Sequence, residues 1–193
     1  MSQSIKEEKS ALRKVVETRR RMLDFEEIVY SDGLIGYHLA RLPEYQQAAM
    51  IFCFVSTAEE VDTRRVILDA LASGKRVCVP RCASFGIMHA YEIKSMDDLQ
   101  PGKYDIPEPK ENCARIEPEE IDFMIIPCVT CNKKGQRLGY GGGFYDRYLE
   151  HLTQTPKAVL CRDFLLREDI PMDSHDVTID VVVTDMGVYR PTD

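Results

Sequence analysis

Residues 137–149 read Arg-Leu-Gly-Tyr-Gly-Gly-Gly-Phe-Tyr-Asp-Arg-Tyr-Leu, a segment with more backbone freedom than stability alone requires. Ordered glycines cost backbone entropy, so Gly139, Gly141, Gly142 and Gly143 imply that something approaches the main chain closely. Their N–H groups are unscreened by side chains. The helix expected from about 143 to 153 adds the partial positive charge of its N-terminus. Lys133, Lys134, Arg137 and Arg147 contribute four positive charges, against one negative charge from Asp146. Donors and positive charge at a bare turn suit phosphate. The pattern is neither Walker A, which needs Lys-Ser/Thr after its last glycine, nor the G-x-G-x-x-G of dinucleotide sites. A turn shaped only to let strand and helix pack closely is the competing reading. The flanking arginines and the Phe144-Tyr145-Asp146-Arg147 run favour a ligand.

Other reactive residue types are weaker signals. Cys128-x-x-Cys131 has redox or zinc spacing, and Cys78 and Cys82 offer two more thiols. The tight glycine-rich knuckles of zinc clusters are lacking, so the thiols read as buried and structural. His175-Asp176 has the form of a phosphohydrolase pair, but His38, His89 and His151 lack the accompanying ligand pattern.

The elements that must position the glycine segment are those of an α/β domain. Residues 5–24 form an amphipathic helix, with Leu12, Val15, Val16, Met22 and Leu23 at helical spacing beside a basic stripe of Lys9, Arg13 and Arg20. A short helix is expected near 31–42. Met50 to Val55 is an apolar run suited to a strand covered on both faces. A helix then opens at Thr57, with Glu60 three residues on as in a capping box, and ends at Gly74. Strands follow at 76–80 and, more exposed, at 87–94. The prolines of residues 100–110 forbid a central strand there. Further buried strands are expected at 121–129, 157–161 and 180–185. The glycine loop therefore leaves the carboxyl end of a strand, where such sheets bind ligands. The fold class is α/β, three layers with a mostly parallel sheet, as a single domain over residues 1–193.

Composition bounds the function classes. With 193 residues, 44% hydrophobic and 30% charged, the chain is large enough for one sizeable core. A net charge of −7 argues against general adhesion to nucleic acid or acidic membrane. No apolar run approaches the roughly 20 residues that span a bilayer, and the first residues lack a signal-peptide core. Seven cysteines, several inside apolar runs (Cys53, Cys78, Cys161), suit reduced thiols and a cytoplasmic location.

The glycine segment closely resembles the signature of the 5-formyltetrahydrofolate cyclo-ligases, also called methenyltetrahydrofolate synthetases. The resemblance runs over nearly the whole chain, through Lys9-x-x-Leu12-Arg13, Glu60-Val61-Asp62-Thr63, Val79-Pro80-Arg81, Ile106-Pro107-Glu108-Pro109 and the His175-to-Asp180 run His-Asp-Val-Thr-Ile-Asp. It implies a NagB/RpiA/CoA-transferase-like fold and ATP-dependent closure of 5-formyltetrahydrofolate to 5,10-methenyltetrahydrofolate, assisted by Mg²⁺, with release of ADP and phosphate. ATP would be held by Lys9, Arg13 and the run Arg137, Leu138, Gly139, Tyr140, Gly141, Gly142, Gly143, Phe144 and Tyr145. Catalytic roles would fall to Arg137 and Tyr145. Folate would meet Arg13, Val55, Glu60, Tyr140 and Tyr145, and Mg²⁺ would meet Asp146 and Asp180. The partners implied are these small molecules, with neither nucleic acid nor membrane, and a monomer is compatible with them.

Each assignment has a structural alternative. Lys9 and Arg13 equally suit a solvated helix face, Asp146 a helix-dipole acid, Asp180 a turn before a strand, and Glu60 the capping box. The resemblance also leads one to expect an acid near position 132, where this chain has Asn132. Two rival functions remain on the residues alone: a sugar-phosphate or CoA-ester enzyme of the same fold, and a folate- or nucleotide-binding protein without turnover.

Overall fold

The computed structural model describes residues 3–150 and 152–191. Helices α1 (Gln3–Arg20), α2 (Phe25–Ala40) and α3 (Pro43–Gln47) lead into strand β1 (Met50–Cys53). Helix α4 (Thr63–Ala72) connects it to β2 (Arg76–Ser84) and β3 (Ile87–Ile93). Short strands β4 (Leu99–Pro101), β5 (Pro107–Pro109) and β6 (Arg115–Ile116) precede β7 (Phe123–Ile126). Then come β8 (Thr130–Cys131), β9 (Arg137–Leu138), α5 (Phe144–Leu149), β10 (Lys157–Leu160), β11 (Val181–Thr184) and β12 (Gly187–Tyr189).

Eight strands form the main sheet in the order β12-β11-β10-β7-β1-β2-β3-β6. The five from β11 to β2 are mutually parallel, and antiparallel strands occur only towards the edges. Alternation along the central strands explains the layering, because successive side chains point to opposite faces. Met50 and Phe52 enter one core with Val16 of α1 and Leu149 of α5. Ile51 and Cys53 enter the other with Ile35 and Leu39 of α2 and Ile67 and Ala70 of α4. Helices on both faces of a mainly parallel sheet give the expected three layers.

Several boundaries differ from expectation, each for a local reason. Helix α2 starts earlier because Asp24 and Glu27 form a reciprocal capping box. Helix α4 starts at Thr63, capped by Asp62, rather than at Thr57. The Glu60 carboxylate does accept hydrogen bonds from the Thr57 N–H and hydroxyl, at 2.8 and 3.0 Å, but it closes a turn. The intervening loop is tied down by Thr63, whose hydroxyl donates to the Phe54 carbonyl at 2.7 Å. Strand β7 ends before Pro127, which has no N–H to continue the ladder. Helix α5 has only six residues and ends at Leu149; of the rest of its expected span, Glu150, Leu152 and Thr153 are not helical and His151 lies outside the described residues.

Candidate active site

The glycine segment sits where the carboxyl ends of β1 and β7 open. Strand β9 pairs with β8, and the chain then turns through Tyr140–Gly143 into α5. Gly143 occupies the N-cap position at φ 66°, in the left-handed region that a side chain rarely tolerates. A Cβ on Gly142 would lie 2.8 Å from the Phe144 ring. Among the described residues, the main-chain N–H groups of Tyr140, Gly141, Gly142 and Gly143 have no hydrogen-bond partner within the protein. Because α5 is so short, the turn's own donors outweigh any contribution from a helix dipole.

Arg137 anchors the floor. Its side chain is buried, donating from Nη1 to the Pro127 carbonyl at 3.1 Å and from Nη2 to Asp146 Oδ1 at 2.6 Å. Its Nε is buried without a partner. Beside it opens a cavity of about 440 Å³. Arg137, Gly139, Tyr140, Gly142, Gly143, Phe144, Tyr145 and Asp146 line one side, and Val55 and Glu60 another. The wall is mostly apolar, with few polar groups, as in pockets for flat organic ligands. Burial, then the Glu60 carboxylate, pushes the Tyr145 and Tyr140 hydroxyls above their ordinary values. Both are therefore neutral phenols at physiological pH, able to donate.

Helix α1 closes the loop from behind. Its basic stripe faces inward, not into solvent. Lys9 is buried and pairs with Asp176 at 2.5 Å. Arg13 donates from Nε to the Gly139 carbonyl at 2.8 Å, and its guanidinium lies against Gly141. Partial burial lowers the Arg13 value, and Asp176 opposes that shift. Val15 and Met22, expected on the apolar side, are instead exposed. The solvated-face alternative for Lys9 is excluded by its burial.

Some expected contributors lie elsewhere. Asp180 precedes β11, so it sits at the amino edge of the parallel strands, opposite the glycine loop. There its Oδ2 accepts from the Lys157 N–H at 2.8 Å and pairs with Lys157 Nζ at 3.3 Å. Of the two aspartates in residues 175–180, it is Asp176 that reaches the cations of α1. Leu138 turns its side chain into the core, and its carbonyl accepts from the Val129 N–H. Lys133 and Lys134 stand at the tip of the β8–β9 hairpin, with Lys133 Nζ 4.3 Å from the Tyr189 ring centroid. Neither belongs to the cradle. Arg147 braces the loop, donating to the Gly142 carbonyl at 3.3 Å.

Asn132 has a structural role that an acid could not fill. Its Oδ1 accepts from the N–H groups of Lys134 and Gln136, while Nδ2 donates to the Glu168 carbonyl at 2.9 Å.

The far wall includes Ile106 and Glu108 of the Ile106–Pro109 run, residues for which no site role was expected. Lys103, Tyr104 and Ile106 of the β4–β5 connection and Glu108 of β5 line the cavity. Tyr104 and Asp105 adopt φ of 60° and 58°, unusual for non-glycine residues. Tyr104 meets Phe144 edge-on, with ring centroids 6.3 Å apart. Glu108 Oε1 accepts from the Cys82 N–H at 2.9 Å, fixing this wall to β2. Backbone strain beside a cavity is a known mark of functional segments, but positive φ at Tyr and Asp leaves little trace in sequence.

These features define an α/β protein with a row of unpartnered main-chain donors at the open end of its sheet and a largely apolar pocket beside it. Comparison with known proteins makes the class specific. A profile of the 5-formyltetrahydrofolate cyclo-ligase family matches residues 5–185. The chain is 29% identical over 181 residues to the 5-formyltetrahydrofolate cyclo-ligase of Escherichia coli K12, covering 91% of this chain and all of that one. It is 28% identical over 187 residues to the mouse cyclo-ligase, covering 91% and 92%. The solved 5,10-methenyltetrahydrofolate synthetase of Aquifex aeolicus superposes with a TM-score of 0.84 at 31% identity, over 96% of this chain and 93% of that one. A subunit of an eIF2B β2δ2 complex from C. thermophilum shares the fold alone, with a TM-score of 0.51 at 15% identity over 86% and 58%. The chain belongs to the 5-formyltetrahydrofolate cyclo-ligase family.

Proposed function

We propose that this chain closes 5-formyltetrahydrofolate to 5,10-methenyltetrahydrofolate at the expense of ATP, releasing ADP and phosphate. The observation that carries the reading is the unpartnered N–H row of Tyr140–Gly143 on the rim of the cavity that Glu60 and the tyrosines line.

The chemistry explains why two ligands must meet there. A formamide oxygen is a poor leaving group. Transfer of the γ-phosphoryl group forms an O–P bond at that oxygen, breaks the bond to the β-phosphate and frees ADP. N10 then attacks the formyl carbon and loses its proton to solvent, and the C–O bond breaks to release phosphate. Arg137 and the loop N–H groups offset charge on the moving phosphoryl group, the largest contribution in such transfers. Glu60 accepts from the donor edge of the pterin, with Val55 and Tyr145 against the ring. Tyr140 and Tyr145 act as neutral donors. Lys9 and Arg13 set the nucleotide end, Lys9 through Asp176 and Arg13 through the Gly139 carbonyl.

Mg²⁺ arriving with the nucleotide fits one protein carboxylate, Asp146, whose Oδ2 lies outside its bond to Arg137. One or two carboxylates are what a phosphate-bridging Mg²⁺ takes. The ion would neutralise phosphate charge. Asp180 cannot share it from the opposite sheet edge.

The test mixes the purified protein with 5-formyltetrahydrofolate and Mg²⁺ and follows the methenyl chromophore. Absorbance rising only after ATP is added is the expected result. Nucleotide binding without that product would leave a binding protein, and product without ATP would require different chemistry.

A further inference from the structure

Three thiols meet below the glycine loop, outside the cavity just described. Cys128 and Cys131 lie in the segment after β7, and Cys161 immediately follows β10. These two strands are neighbours in the sheet, so topology brings the third sulfur to the first two. The three Sγ atoms all lie within 4.8 Å of one another, and all three residues are buried. None is in a disulfide.

Three sulfurs around one tetrahedral zinc, at bonds of about 2.3 Å, stand roughly 4 Å apart. That spacing falls inside the 4.8 Å limit within which the three Sγ atoms lie, so small side-chain rotations at most are needed to reach it. The sulfurs' other contacts are weak and displaceable. Cys128 reaches the Leu160 carbonyl at 3.5 Å and Cys161 the Arg162 carbonyl at 3.5 Å.

A second feature adjoins two of the three thiols. A small cavity of about 10 Å³ is bordered by Cys128 and Cys161, together with Arg20, Glu59, Glu60 and Arg162. That is about the room one water needs, on the side from which solvent can enter. Three thiolates with a divalent cation carry one net negative charge, and the guanidiniums of Arg20 and Arg162 border the same space.

We propose that Cys128, Cys131 and Cys161 form a three-thiolate site for one soft divalent cation of the zinc–cadmium type, with a solvent molecule as fourth ligand. Thiolate donors select such cations over Mg²⁺, which takes oxygen ligands. Each coordinating thiol yields its proton to solvent, so affinity rises with pH. The site also underlies Arg137: Cys131 pairs with Arg137 across β8–β9, and Cys128 follows Pro127, whose carbonyl holds the same guanidinium. Occupancy therefore stiffens the frame beneath the loop without entering it. Binding is measured apart from turnover, so this inference stands or falls independently of the proposed reaction.

The test titrates the reduced, full-length protein with Co²⁺ and Cd²⁺ and reads sulfur-to-metal charge-transfer absorption. A band that saturates at one equivalent per chain and strengthens with pH is expected. Cys131→Ser and Cys161→Ser each weaken binding by at least about 100-fold, since loss of a direct ligand exceeds the 10- to 100-fold cost of losing its supporting contacts. Cys113→Ser, away from the cluster, leaves binding unchanged. Absence of the band, or its survival at full affinity in Cys161→Ser, overturns the proposal. Should the serine variants fail to fold, X-ray absorption of the zinc-loaded wild type decides. Three sulfurs in the first coordination sphere support the site, and a shell of nitrogen and oxygen alone refutes it.

Discussion

Arg137 and Asp146 show how the residue scale sets the terms for any experiment on this site. Their bond of 2.6 Å joins a buried guanidinium to a carboxylate that is only a quarter exposed. Removing one partner of a buried pair costs about 3–5 kcal/mol, because the other charge is stranded. Activity lost on truncating Asp146 would thus mix disturbed Arg137 with lost metal contact. Glu60 is cleaner. Its carboxylate already holds the Thr57 turn, yet it lines the cavity, so the roles separate by chemistry. Glu60→Gln keeps an acceptor for the Thr57 N–H but forfeits the charge that a pterin guanidine prefers. The expected result is a KM for 5-formyltetrahydrofolate raised about tenfold with Tm unchanged. An unaltered KM would remove Glu60 from the folate site. The capping-box pattern was visible in sequence because Thr57 and Glu60 make the same contacts in a turn as at a helix start. That ambiguity misplaced the start of α4.

At the scale of elements, the loop is held from three sides: by β9, by α5 and by Arg13 of α1 at the Gly139 carbonyl. Its glycines were legible because only unusual backbone demands explain them. Its partners were less so. Asp176 and Asp180 lie four residues apart, and nothing local says which turns towards α1. The direction of the parallel strands decides it, carrying Asp180 to the opposite edge. The β4–β5 wall and the third thiol, Cys161, likewise depend on pairing between distant segments. Within the loop, Gly142 is the position where a methyl group tests function more than stability. A Cβ there meets the side edge of the Phe144 ring, Cδ2 at 2.8 Å and Cε2 at 2.9 Å, and the ring must turn towards the open cavity that it lines. Gly142→Ala is expected to raise the KM for ATP by about tenfold while Tm moves little. A large fall in Tm with an unchanged KM would make Gly142 a packing residue.

For the molecule as a whole, the two cores on either side of the central strands were readable from alternation and apolar runs. The edges were not, since β6 and β12, at two and three residues, are too short to show a pattern. Surface carboxylates tie these outer parts together. Glu44 is held below the usual carboxylate range by its bond to Arg190, Glu92 by its bond to Arg76, and Asp98 by the Lys94 N–H. Such groups stabilise the fold above their unfolded-state values, and the contribution is lost as pH falls through the lower folded-state values. Asp32 runs the other way, raised by burial despite Arg162, but Asp173 is lowered as well, by the His175 N–H, so the lowered groups outnumber it. Tm should therefore decline as pH drops below about 4. A Tm that holds or rises in acid would contradict this balance.

On the proposed reading, free main-chain donors at Tyr140–Gly143 grip the phosphates of ATP beside the folate pocket. Amide resonances of ¹⁵N-labelled protein titrated with Mg²⁺ and a non-hydrolysable ATP analogue read those donors directly. The largest shifts are expected from Tyr140 to Gly143, saturating together. Saturable binding that moved amides elsewhere and left these four unchanged would contradict the account.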